Sequence, residues 1–147
     1  MKKIVSIIIA IAIFATIGTL VAFAATYYDR ESATLNGGEQ SVSAVSSVGD
    51  NNGIGQTVMS IFTIDPNEIA QCNPNVTVSV TYDYVDTSTS PVTPYVINKT
   101  SSGATNAYAG GSKPVGSTFR SYRTKSTHTA RAEDQNWNTV TEVFYAG

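Results

Sequence analysis

The chain has 147 residues, 41% of them hydrophobic, and its nine Lys and Arg nearly balance eleven Asp and Glu, for a net charge of −2. That length suits one domain, and the acidic balance excludes general nucleic-acid binding, which needs Lys and Arg to displace counterions from phosphate. One cysteine (Cys72) excludes an internal disulfide, and together with one histidine (His128) it falls short of the four ligands of a structural zinc site.

The apolar residues are unevenly spread. Met1-Lys2-Lys3 is followed by an uncharged apolar run from Ile4 to Phe23, closed by Ala22-Phe23-Ala24 with small residues before Ala25. A short basic start, an apolar middle and a small-residue end predict a secretory signal peptide over residues 1–24, of bacterial type, with a secreted or cell-surface domain over 25–147. The alternative is an uncleaved anchor, which would then be the chain's only membrane contact. Beyond residue 24 the charge is about −4 and is polarised, negative as far as Asn98 and positive from Lys99 onward. Halves of opposite sign attract, within one molecule or between neighbours.

Leu35 is the only leucine after residue 24, whereas Val, Tyr, Ser and Thr abound. β-Branched and aromatic residues fit a pleated surface, which predicts an all-β fold. Strands are expected at 32–35, 41–48, 58–64, 76–84, 94–98, 117–123, 127–132 and 138–145. The clearest is 76–84, where Val76, Val78, Val80, Tyr82 and Tyr84 alternate strictly with Thr77, Ser79, Thr81 and Asp83. The run at 58–64 is apolar on both sides and is placed centrally. Turns fall at Asn36-Gly37-Gly38, at Asp50-Asn51-Asn52-Gly53 and over 86–94. Asp65-Pro66-Asn67-Glu68 predicts a short helical turn through Gln71. The Gly-, Ser- and Ala-rich segment 100–116 reads as a long surface loop. About eight antiparallel strands with Gly-rich turns predict a β-sandwich of jelly-roll or immunoglobulin-like kind.

Catalysis finds little support in the motifs. A hydrolase could draw on His128, but no Gly-x-Ser-x-Gly elbow surrounds any serine. A Cys72 and His128 pair is formally complete as nucleophile and base, although nothing in the sequence brings the two together. Asp50-Asn51-Asn52-Gly53 matches the start of a calcium loop and lacks its closing acidic residue, so a turn is the simpler reading. No cofactor is expected. Trp137 shares parity with Val143 and Tyr145, which favours a core anchor over a sugar-binding platform, and Tyr108 stands alone in its loop.

Arg120, Tyr122, Arg123, Lys125, His128 and Arg131 form the one basic concentration. On an uninterrupted strand Arg123, Lys125 and Arg131 share one face, with Arg120, Tyr122 and His128 on the other. The group reads as a surface for an anionic cell-wall polymer, lipid headgroups or an acidic partner, or as a solvated sheet face protected by charge. Self-association through the opposed charges is the other partner reading.

The tail 117–147, with its Ser/Tyr-rich strand, His128-Thr129-Ala130 step and closing aromatic strand, resembles small secreted bacteriocins of the lactococcin type; the implied role is a toxin against competing cells. Tyr27-Tyr28-Asp29-Arg30-Glu31-Ser32 is similar to the start of biofilm-fibre proteins of the camelysin type, which implies assembly. The expected function is non-catalytic binding or assembly at the cell surface, with a secreted toxin and a small extracellular hydrolase as alternatives.

Overall fold

A computed structural model describes residues 27–63 and 65–144. The expected signal peptide (1–24), Ile64 and Tyr145 lie outside them. Among the described residues no helix is long and apolar enough to cross a membrane.

Among the described residues, eight antiparallel strands form two four-stranded sheets. They are β1 (Tyr27–Leu35), β2 (Gln40–Val48), β3 (Asn52–Ile61), β4 (Asn75–Asp86), β5 (Thr93–Gly103), β6 (Asn106–Ser112), β7 (Phe119–Ala132) and β8 (Gln135–Phe144), with one helix, α1 (Pro66–Gln71), between β3 and β4. The first sheet runs β1-β2-β3-β6 and the second β5-β4-β7-β8. Across the interface β1 packs on β8, β2 on β7, β3 on β4 and β6 on β5. The all-β sandwich expected from composition is present.

Residue size explains how the sheets close. Val76, Val78, Val80 and Tyr82 on the inner face of β4 are essentially inaccessible, and burying each such side chain stabilises the fold by roughly 1.5–3 kcal/mol. The facing sheet meets these large groups with small ones: Gly53 and Gly55 on β3, Ala107, Ala109 and Gly111 on β6. A Cβ built on Gly55 would lie 2.6 Å from Val80 Cγ2 and 2.5 Å from Ser126 Oγ, so only glycine admits the approach. Leu35, Val42, Val48, Met59 and Val143 complete the core, with Trp137, Ile97 and Phe119 packed at its margin. Trp137 is therefore the anchor that its parity predicted.

The strand count matches the expectation, but the partition differs. The expected loop 100–116 contains the end of β5 and the whole of β6. Its small residues form a strand because they are the complement of the bulky β4 face. The two strands expected at 117–123 and 127–132 are one 14-residue strand, irregular where Asp83 pairs with Arg123 while Tyr84 pairs with Ser121. Tyr122 is the extra residue of this bulge. The predicted helical turn exists as α1, and Asp65 Oδ1 accepts from Asn67 N at 2.9 Å. The segment 50–53 is the β2–β3 turn, its end drawn into β3.

Candidate functional sites

The basic residues of β7 stand on the outer face of the second sheet. Register places Arg120 opposite Val85, Arg123 opposite Asp83, Lys125 opposite Thr81 and Arg131 opposite Asn75, all outward positions of β4. This corrects the parity expectation for Arg120: the bulge at Tyr122 resets the alternation and returns Arg120 to the face of Arg123, Lys125 and Arg131. Tyr122 is half exposed beside them. The correction for His128 is larger. It points into the sandwich with no exposed surface, so it contributes nothing to an outer binding face.

The four cations differ in freedom. Arg123 is held by Asp83 (Nη2 to Oδ2, 2.7 Å) and by Glu142 (Nη1 to Oε1, 3.1 Å). Partial burial works against its charge, and these carboxylates outweigh that effect and leave its pKa raised. Arg120 donates to the Ser117 and Phe119 carbonyls. Lys125 and Arg131 are exposed and make no ion pair among the described residues.

Around them lies a field of hydroxyls and amides. Thr77 pairs with Ser102, Ser79 with Thr100 and Thr81 with Asn98, through side-chain hydrogen bonds of 3.0, 2.9 and 2.9 Å. Thr127, Thr129 and Asn138 extend it across β7 and β8. Strict alternation along β4, with valine inward and hydroxyl outward, produces the core and this face from one sequence pattern.

Inside the sandwich, His128 joins both sheets. Its Nδ1 lies 2.9 Å from Thr57 Oγ1 on β3, and its Nε2 lies 3.0 Å from Thr141 Oγ1 on β8. Thr57 spends its hydroxyl proton on the Thr77 carbonyl at 3.0 Å. Nδ1 must then donate, and Nε2 of the neutral ring must accept from Thr141. Burial lowers the His128 pKa to about 4, against a smaller opposing effect of Asp29. Ser126 Oγ donates to Ser46 Oγ at 3.0 Å, a further bond between the sheets.

Cys72 is a buried free thiol at the end of the sandwich nearest α1. Its neighbours are Gln40 Nε2 at 3.6 Å and Glu133 Oε1 at 3.7 Å. Burial, then the Glu133 charge, raises its pKa and keeps it protonated. Cys72 and His128 have separate partners, so the formal nucleophile and base pair is not assembled. A recess of about 320 Å³ opens beside Cys72, lined also by Glu39, Gln40, Phe62, Glu68 and Glu133. Sequence reasoning missed it, because its walls come from the β1–β2 turn, the end of β3, α1 and the β7–β8 turn.

No family model, no curated protein and no solved structure matches the chain. The two local resemblances therefore rest on their quoted residues alone.

Proposed function

We propose that this chain is an exported, non-catalytic bacterial β-sandwich, of jelly-roll or immunoglobulin-like kind, that binds an anionic polymer of the cell envelope through the outer face of the sheet β5-β4-β7-β8. The observation that carries this reading is the line of Arg120, Arg123, Lys125 and Arg131 on one face of β7, kept together by the bulge at Tyr122. Lys125 and Arg131 are exposed cations within a surface of hydroxyl and amide groups. Such a face offers charge to phosphate or carboxylate groups and hydrogen bonds to the sugar or polyol between them. Export behind residues 1–24 would bring the domain to that polymer.

Co-sedimentation with isolated cell walls, before and after removal of their phosphate-bearing polymer, tests the reading. Binding should weaken with salt, because the contacts are exposed and screened. Lys125→Glu with Arg131→Glu should weaken it about tenfold. Binding that is equal on stripped walls, or indifferent to this double substitution, would refute the proposal.

A further inference from the structure

The strand registers bring one set of segments to the end of the sandwich opposite α1. Tyr27 at the start of β1 lies beside Val48, Val48 beside Gly53, and Asn52 beside Ser112. In the second sheet Asp86, Thr93 and Phe119 share a row. Two loops crown this end, 87–92 and 113–118, joined where Thr87 N and Thr87 Oγ1 both donate to Thr118 O, at 2.9 and 2.8 Å. Together they carry one charged residue, Lys113, and they expose Val92 and Val115, the latter completely. Tyr27, Tyr28 and Phe144 are exposed around the same end. At the α1 end the only large hydrophobic side chain so exposed, among the described residues, is Phe62. Scattered exposed apolar residues are ordinary, and their gathering at one end is not.

Charge divides along the same axis. Among the described residues the α1 end carries Glu39, Asp65, Glu68, Glu133 and Asp134 against Arg131 alone. At the loop end Asp50 and Asp86 are matched by Lys113 and Arg120, and Asp86 Oδ1 is turned into its own loop, where it accepts from Ser88 N and Ser88 Oγ. The 12 residues of β4 set the two ends roughly 40 Å apart. That is several times the ~8 Å screening length of physiological salt. The chain that precedes the described residues joins at the loop end as well. In the sequence only Ala24, Ala25 and Thr26 separate the uncharged run Ile4 to Phe23 from Tyr27, and four backbone steps reach at most about 14 Å.

We propose that this end of the sandwich seats on a lipid bilayer, with Val92 and Val115 entering the boundary between headgroups and acyl chains. Apolar tips add buried area there, and Tyr27 and Tyr28 suit the headgroup level, where an aromatic body meets lipid and a hydroxyl meets water. Lys113 and Arg120 stand behind the tips as partners for lipid phosphate. The acidic end is then the one held farthest from an anionic surface. This surface is distinct from the β7 face, and the two are compatible: β7 runs away from the loop end, so its outer face stands upright from the membrane and open to a polymer alongside.

Trp137, the only tryptophan, lies toward the α1 end of β8, opposite Ala130, and is a built-in reference. The full chain is reconstituted in vesicles of phosphatidylcholine and phosphatidylglycerol whose acyl chains are brominated near the headgroup, as wild type, Val115→Trp and Val92→Trp. The emission added by each new tryptophan should shift to shorter wavelength and be lost to the bromolipid, while Trp137 emission in the wild type stays unchanged. Val140→Trp, an exposed position midway along β8, controls for tryptophan's own affinity for lipid and should stay unquenched. A domain merely tethered by residues 4–23 would leave the tryptophans at 92 and 115 in water. No bromolipid quenching at these two positions, or equal quenching at 137 or 140, would overturn the proposal. Shielding of both positions from acrylamide without bromolipid quenching would place a second polypeptide on this end and overturn it too. Lys125→Glu with Arg131→Glu should leave the quenching unchanged, so the loop end and the β7 face fail or succeed separately.

Discussion

Thr57 Oγ1 on one sheet lies 2.9 Å from His128 Nδ1 on the other, and no part of the imidazole reaches solvent. With Thr141 on the far side of the ring, the sandwich holds a neutral histidine whose two nitrogens already have fixed roles as donor and acceptor. A second proton would have to enter at Nε2, where Thr141 offers its own hydrogen.

Acid should therefore loosen the fold through His128. Its pKa falls from 6.5 to about 4 in the folded chain, so between these values the unfolded chain binds the extra proton. The stability contribution is complete above about pH 6.5 and lost as pH falls toward 4, amounting to about 3 kcal/mol. Urea unfolding at pH 7 and at pH 4.5 should show a larger loss in the wild type than in His128→Gln. Equal losses would contradict the assignment.

The approach of the sheets at Gly55 predicts a second effect. Gly55→Ala places a methyl group within 2.6 Å of Val80 and 2.8 Å of Val78, on a strand backed by β2 and β6. Overpacking of this kind costs about 1–3 kcal/mol. Thermal unfolding of the variant at the wild-type midpoint would show no loss if the sheets can part to receive it.

On the outer face, Asp83 is buried beneath Arg123 and keeps one oxygen, Oδ1, without a partner. Removing the guanidinium leaves a shielded carboxylate alone, so Arg123→Ala should cost about 2 kcal/mol. Asp83→Ala added to it should recover part of the loss. A double variant with the sum of the two single effects would mean that the pair does not interact.

Cys72 should react slowly. Its thiol is buried, its pKa is raised, and the thiolate is the reactive species. Modification by an aromatic disulfide reagent at pH 7.5 should run about tenfold or more behind a small free thiol. Glu133→Gln should speed it by removing the nearby charge. A wild-type rate equal to the free thiol would show that the site is open.

What could be read in the sequence was whatever one strand carries by itself. The alternation of Val76 to Tyr84 with Thr77 to Asp83 gave both the buried and the hydroxyl-bearing face of β4, and Asp65-Pro66 marked α1. The strand β6 escaped notice because Asn106-Ala-Tyr-Ala-Gly-Gly-Ser112 carries no apolar bulk on its inward face, where Ala107, Ala109 and Gly111 lie; its fitness as a strand lies in Tyr82 and Ile97, which fill the space its Gly111 leaves. The bulge at Tyr122 was hidden for a related reason. Parity along a strand assumes an unbroken ladder, and the extra residue is visible only against the partner strand. The recess needed four separated segments to meet, and no single segment announces it.

The turn between Gly103 and Asn106 joins β5 to β6, the outermost strands of the two sheets on one long side. That side is bound like the spine of a book. The opposite side is formed by β1 and β8, which meet where Asp29 Oδ2 accepts from Glu142 N and, just past the end of β1, where Gln135 Oε1 accepts from Asn36 N. Tyr27 and Phe144 consequently lie at the same corner of the open side. A pull that separates them would unzip β1 from β8 one contact after another, with the spine intact until the pages have already parted.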